Sequence, residues 1–158
     1  MITPLALDRL DGVLALNNAH AAELSLLDHD RLAGLVRQAL WAAQAGDEHG
    51  FLLLLDEKAT YGSPNFRWFK ERHERFAYVD RVVVAPHARG RGLARLLYAG
   101  ALAAAVAAGQ RVVAAEVNLV PPNPASDAFH AALGFREVGK AAVHGGARTV
   151  RYLLRELP

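Results

Sequence analysis

Ala77-Tyr78-Val79-Asp80-Arg81-Val82-Val83-Val84 (residues 77–84) predicts a β-strand, and Ala85-Pro86-His87-Ala88-Arg89-Gly90-Arg91-Gly92-Leu93-Ala94 (residues 85–94) leads from it into a helix opened by Gly92. A strand, a tight Gly/Arg turn and a helix N-terminus leave several backbone N–H groups unpaired and pointing one way, with the helix dipole behind them. Such a turn suits phosphate. Gly90 and Gly92 permit left-handed backbone angles and close approach by a ligand, while Arg89 and Arg91 add charge-assisted contacts. The plain alternative is a strand-to-helix loop with two solvated arginines. The pattern is not a P-loop, because no Gly-Lys-Ser/Thr follows, and its spacing does not match the dinucleotide fingerprint.

A second region supports the functional reading. Pro121-Pro122-Asn123-Pro124-Ala125-Ser126-Asp127-Ala128-Phe129-His130-Ala131-Ala132-Leu133-Gly134-Phe135 predicts a short helix started by Asn123 or Ser126 and ended by Gly134. Together, residues 77–135 resemble the GCN5-related N-acetyltransferase (GNAT) superfamily. Arg89, Gly92 and Ala94 match its acetyl-CoA signature, in which Arg or Gln precedes a spaced pair of small residues. Asn123, Ser126, Phe129, Leu133, Gly134 and Phe135 match its distal pattern, with His130 where that pattern has Tyr.

The resemblance implies that Gly90, Arg91, Gly92, Leu93 and Ala94, with Arg89, hold the CoA pyrophosphate. It also implies that the backbone of Val82, Val83 and Val84 pairs with the pantetheine arm, that Val84 N–H serves the oxyanion, and that Asn123 and His130 contact the cofactor. His130 either protonates the departing thiolate or only binds. The implied architecture is α/β, with a mixed, mainly antiparallel sheet, helices on both faces and a splayed central parallel pair around acetyl-CoA.

Other residues bear on the acceptor and the proton. The two-residue period of a strand places Tyr78, Asp80, Val82 and Val84 on one face and Val79, Arg81 and Val83 on the other. Asp80 then neighbours the reaction line and can take an amine proton, or it can pair with a nearby Arg. Tyr78 stands where the histone-acetylating branch of the superfamily has a glutamate base, so that branch's mechanism does not transfer intact. Arg111 to Leu119 predicts a parallel strand reached through the helix by a crossover, with Glu116 and Asn118 on one face. Glu116 is a second proton-handling candidate; buried, it needs a hydrogen-bond or ionic partner.

The remaining elements follow in order. Ile2 to Leu7 predicts an edge strand, with a helix beginning near Pro4 or Asp8. A second helix is expected from about Asp30 to Ala45, with Asp30 as N-cap and Gly46 as stop. The resemblance implies that this helical pair walls the acceptor, so that Glu23, between the helices, either faces a substrate amine or is solvated or caps a helix. Gly50 to Asp56 has the unbroken apolar character of a strand covered on both faces. Tyr61 to Arg75 reads as a long loop anchored by Phe66, Trp68 and Phe69, able to present Tyr61, Asn65 or Arg67 to an acceptor; Tyr78 is a further substrate-binding candidate. On the helix after the glycine turn, Leu93, Leu96, Leu97, Gly100, Ala104 and Ala108 form an apolar stripe. Phe135 to Val138 and Thr149 to Leu154 predict two terminal antiparallel strands.

Composition bounds these readings. The 158 residues suit one domain spanning 1–158. With 53% apolar residues but no run of about 18 of them in a row, the chain is expected to be globular, without membrane association. Lacking a basic region and apolar core at its start, it is expected to be cytoplasmic. Zero cysteines exclude disulfides and a thiol nucleophile. A formal charge of +2, from 18 Lys plus Arg against 16 Asp plus Glu, is too small to imply nucleic acid. His87, His130 and His144 lack zinc-motif spacing, so no metal is expected. The resemblance implies acetyl transfer from acetyl-CoA to a primary amine, and a small molecule is favoured as acceptor because no acidic acceptor groove is apparent in the sequence. The competing expectation is a CoA-responsive binding or regulatory protein with little catalysis. A homodimer through terminal strands or apolar helix surfaces is compatible with the pattern.

Overall fold

The computed structural model describes residues 1–20, 24–46 and 49–158. In chain order the elements are β1 (Ile2–Pro4), α1 (Asp11–Ala19), α2 (His29–Gln38), β2 (Trp41–Ala45), β3 (Gly50–Asp56) and α3 (Pro64–Lys70). They continue with β4 (Ala77–Val84), α4 (Leu93–Ala107), β5 (Val112–Val120), α5 (Pro124–Ala132), β6 (Arg136–Val143) and β7 (Arg148–Glu156). The strands form one mixed sheet in the order β1-β2-β3-β4-β5-β7-β6. Every neighbouring pair is antiparallel except β4 and β5.

Helices cover both faces. Leu10, Val13, Leu32 and Leu35 from the α1–α2 side and Phe66 and Phe69 from α3 pack on one face with Phe51, Leu53, Leu55 and Tyr78. Leu97, Tyr98, Ala101 and Ala105 of α4 pack on the other with Leu52, Leu54, Val79 and Val113. Alternate leucines of β3 thus enter opposite cores, which is why all of Phe51 to Leu55 are fully buried and why that run lacks polar positions. The buried stripe of α4 is Leu97, Tyr98, Ala101 and Ala105, rotated from the expected one, and Leu96 is 50% exposed. No described helix is long and apolar enough to cross a membrane.

Three local expectations are corrected. The second helix ends at Gln38 rather than near Ala45, because Trp41–Ala45 pairs with both β1 and β3 and buries Ala43 and Ala45 between them. Its N-cap is Asp28, whose carboxylate accepts from Arg31 N–H at 2.8 Å. The expected loop at 61–75 contains α3, capped by Ser63 with Pro64 in its first turn. Tertiary pairing and capping override alanine-rich composition in the first case and turn formers in the second.

The third correction positions the site. Leu53 pairs with Arg81 and Leu54 with Val79, so Asp80 is an extra residue, a β-bulge. The bulge resets the side-chain alternation: Tyr78 and Val83 join the first core, while Val79 and Val82 pack with the second. Tyr78, Asp80, Val82 and Val84 therefore do not share one face. Beyond the bulge the parallel pair opens, since β4 and β5 pair only at Ala77 with Val113 and Tyr78 with Ala114. Past that point the facing edges of both strands are unpaired with each other.

Candidate functional site

An open cavity of about 390 Å³ occupies the divergence of β4 and β5, walled by Asp80, Arg81, Val82, Glu116, Val117 and His130 among others. It shares Leu24, Val82, Ser126 and His130 with a second cavity of about 270 Å³. That one shares Val84, Arg89, Ala94 and Phe129 with a third, of about 290 Å³, over the glycine turn. The three make a continuous groove from the turn to Glu116.

The turn end combines open backbone with cationic side chains. Pro86–Ala88 forms a short 3-10 turn, Gly90 and Gly92 have φ of 80° and 74°, and a Cβ at either would meet nothing within 4 Å. Gly92 is the N-cap of α4 and makes no side-chain cap, so the first amides of the helix open onto this space. Leu93 and Ala94 line the third cavity with Gly90, Gly92, Arg89 and Arg95. Arg91 is exposed and does not belong to that wall; Arg95, unremarked in the sequence, does.

Between turn and cavity lie Val82, Val83 and Val84. Ala85 N–H donates to His49 O at 2.7 Å on the β3 side. Strand alternation then turns the Val84 N–H away from β3, toward the groove.

Glu116, from β5, is half-buried with an enclosed carboxylate. The Tyr78 hydroxyl lies 2.9 and 2.8 Å from its two oxygens, and Asn65 Nδ2 donates to Oε1 at 3.3 Å. The Tyr152 hydroxyl donates to Asn65 Oδ1 at 2.8 Å, fixing that amide. Burial pushes Glu116 up to about 8, against the lowering effect of the Tyr78 and Asn65 hydrogen bonds. Burial, then Glu116, holds Tyr78 well above the usual phenol range and pushes Tyr152 up to about 12.

Asp80 is engaged differently. Its Oδ2 accepts from Arg81 Nε at 2.7 Å, and both side chains are only 3% exposed. Burial disfavours the Arg81 charge, but Asp80 and Tyr61 more than offset it.

His130 is buried, its ring held at both nitrogens. Nδ1 is 2.8 Å from Ser126 O, a pure acceptor, and therefore carries the proton of the neutral ring. Nε2, 2.6 Å from the Tyr98 hydroxyl, then accepts. Burial lowers its proton affinity, so the neutral form prevails. Asn123 Oδ1 accepts from Ser126 N–H at 3.2 Å, capping α5, and its side chain also lines the large cavity.

The large cavity thus brings together Tyr61, Asn65, Asp80, Glu116, Asn123 and His130 of the sequence candidates. Tyr78 is fully buried and reaches the cavity through Glu116. Glu23 lies outside the described residues. Sequence reasoning missed Arg81, Ser25, Tyr98 and Tyr152. No local signal marks them, because each acquires its partner from a distant segment or, for Arg81, from the bulge.

A family model described as Acetyltransferase (GNAT) family matches residues 16–135. Solved structures share the fold. A putative acetyltransferase, yncA, from Salmonella typhimurium with its cofactor acetyl-CoA is 18% identical, with 100% of this chain and 94% of that one covered at a TM-score of 0.74. A ribosomal-protein-alanine N-acetyltransferase from Brucella melitensis is 22% identical over 99% of both chains, at 0.75. Chaetomium thermophilum Naa20 in complex with a bisubstrate analogue is 20% identical over 99% of this chain and 86% of that one, at 0.77. Among curated protein sequences no significant match is found.

Proposed function

Because its residues 16–135 match the family model, the chain belongs to the acetyltransferase (GNAT) family, and we propose that it transfers acetyl from acetyl-CoA to a primary amine of a small molecule. The observation that carries this reading is the continuous groove joining an uncapped helix N-terminus and two arginines to an enclosed carboxylate. The residues present fit the cofactor: Gly90 and Gly92 leave open space where a side chain would intrude. Arg89 and Arg95, with the first amides of α4, would hold its phosphates, and the unpaired edge of β4 at Val82 to Val84 its amide arm. Bound there, acetyl-CoA supplies the acetyl group activated as a thioester.

The chain's own groups do the rest. Glu116 accepts the proton of the amine nitrogen, and its raised proton affinity matches it to an amine better than an ordinary carboxylate. Tyr78 and Asn65 orient that carboxylate. Val84 N–H donates to the developing oxyanion. Asp80, paired with Arg81, shapes the acceptor end. His130, whose neutral ring has no proton on Nε2, serves as a contact that holds Tyr98 and leaves the departing CoA thiolate to take its proton from water.

The engaged His130 ring also favours a second reading, a CoA-responsive binding protein with little turnover. The two separate in one assay. Purified protein is incubated with acetyl-CoA and a panel of amino acids, polyamines and peptides with free N-termini. Equal amounts of CoA and acetylated amine support transfer; binding of acetyl-CoA with no product supports the second reading, and absence of binding up to about 1 mM rejects both.

A further inference from the structure

Arg81 is a buried cation to which acetyl transfer assigns no chemical step. Its guanidinium has five N–H donors, and each has an acceptor. Nε–H goes to Asp80 Oδ2 at 2.7 Å; Nη1 donates to Asn17 Oδ1 at 2.9 Å and Ser25 O at 3.4 Å; Nη2 donates to Ser25 Oγ at 3.2 Å and the Tyr61 hydroxyl at 3.3 Å. Three segments distant in sequence therefore meet on one side chain: the end of α1, the connection to α2, and the stretch before α3. That connection is already stitched to α1, because Asn17 Nδ2 donates to Ser25 O at 3.0 Å and Asn18 exchanges bonds with Leu27 at 2.9 and 3.0 Å. Arg81 ties the stitched unit to the sheet.

Location gives this bracing its consequence. Ser25, Tyr61, Asp80 and Arg81 line the large cavity at the Glu116 end, and none of them lines the two cavities nearer the glycine turn. A cation with all donors engaged holds an anionic substrate only by giving up internal bonds. We propose that Arg81 is a positioning residue for the acceptor amine, holding Ser25 and Tyr61 against the Asp80 bulge so that the acceptor wall keeps its shape. The inference rests on the acetyl-transfer reading above and extends it to a residue that touches neither reacting atom.

The test uses the full chain. Arg81→Met keeps the stem and removes all five donors; Arg81→Lys keeps the charge without the fork. Ser25→Ala and Tyr61→Phe each remove a contact while leaving the Asp80–Arg81 pair intact. Acetyl-CoA affinity is measured by calorimetry without acceptor. KM and kcat are measured with each of spermidine, L-lysine and a tetrapeptide with a free α-amine that the unmodified protein acetylates. Hydrogen exchange is followed over residues 24–27 and 60–63.

For Arg81→Met the acceptor KM should rise about tenfold or more, with kcat falling less and acetyl-CoA affinity within about twofold. Lysine should recover part of the loss, and Ser25→Ala and Tyr61→Phe should shift the acceptor KM the same way by a few-fold. Exchange over the two segments should quicken. An unchanged acceptor KM in folded Arg81→Met overturns the proposal, as does an unchanged KM in both contact variants should Arg81→Met not fold. A KM that rises for L-lysine and not for spermidine overturns it in favour of direct contact with a substrate carboxylate. If the unmodified protein acetylates no amine of the panel above, the transfer reading fails on its own, and the exchange data still decide: undisturbed protection in every variant removes the bracing role.

Discussion

At the scale of the residue, Glu116 and His130 take their roles from the groups around them. Glu116, pushed up to about 8 by burial, is mostly protonated at neutral pH and must lose that proton before it can accept one. Turnover should therefore rise with pH through about 8, and Glu116→Gln should lower kcat by about 10²-fold or more, leave acetyl-CoA affinity unchanged and abolish the rising limb. A limb that persists in the glutamine variant assigns the titration elsewhere. For His130, both nitrogens are committed, to Ser126 O and the Tyr98 hydroxyl. Single-turnover transfer by His130→Phe should stay within about tenfold of the unmodified protein at saturating acetyl-CoA; slowing of about 10²-fold or more would restore the acid role. The same variant leaves the Tyr98 hydroxyl buried without that partner, at a cost of about 1–3 kcal/mol. Adding Tyr98→Phe should recover part of the lost thermal stability.

At the scale of the element, the glycine turn and α4 act as one device. Gly92 caps α4 with φ of 74°, where an alanine fits the space but not the backbone angle. Gly92→Ala should cost about 1–2 kcal/mol of stability and weaken acetyl-CoA, since the strain falls where the amides are aimed. Arg89→Ala and Arg95→Ala should each raise the acetyl-CoA KM, with the effect diminishing at high salt, whereas Arg91→Ala should do so less. Equal effects at all three positions would mean that the wall of the third cavity does not define the phosphate site. The bulge at Asp80 is the other device at this scale. One inserted residue moves Arg81 onto the α1–α2 side while Val82 still reaches the groove.

At the scale of the whole molecule, the enclosed carboxylate sets a pH dependence of stability. The folded state holds the Glu116 proton more tightly than the unfolded chain, whose value is near 4.5. Its stabilising contribution is therefore complete below about 4.5 and is lost as pH rises through about 8. Urea unfolding of the unmodified protein and of Glu116→Gln, compared from pH 5 to 9, should show the stability difference moving toward the glutamine variant as pH rises. A difference independent of pH would show that the carboxylate is already ionised in the folded protein. His130 acts in the opposite sense: its lowered proton affinity makes stability fall as pH drops below its usual value.

Local chemistry was enough to determine much of this protein. Consecutive leucines in β3, valines in β4, Gly92 before an alanine-rich helix and Asn123 before another each carry their structural reason in adjacent residues, so strands, turn and caps were legible. The turn and the distal pattern also led to the fold and the family. Ser63-Pro64 held a helix-start signal that turn-forming neighbours obscured. What only the tertiary structure decided depends on partners far away in the chain. Trp41–Ala45 is a strand because β1 and β3 offer it unpaired edges, not because of its composition. The face that Arg81 occupies follows from the pairing of Leu53 and Leu54 across the bulge, which a strict two-residue period cannot encode. The proton affinity of Glu116 follows from enclosure by α3, β4 and β7, since desolvation is a property of the packed surroundings and leaves no trace in a residue's own neighbours.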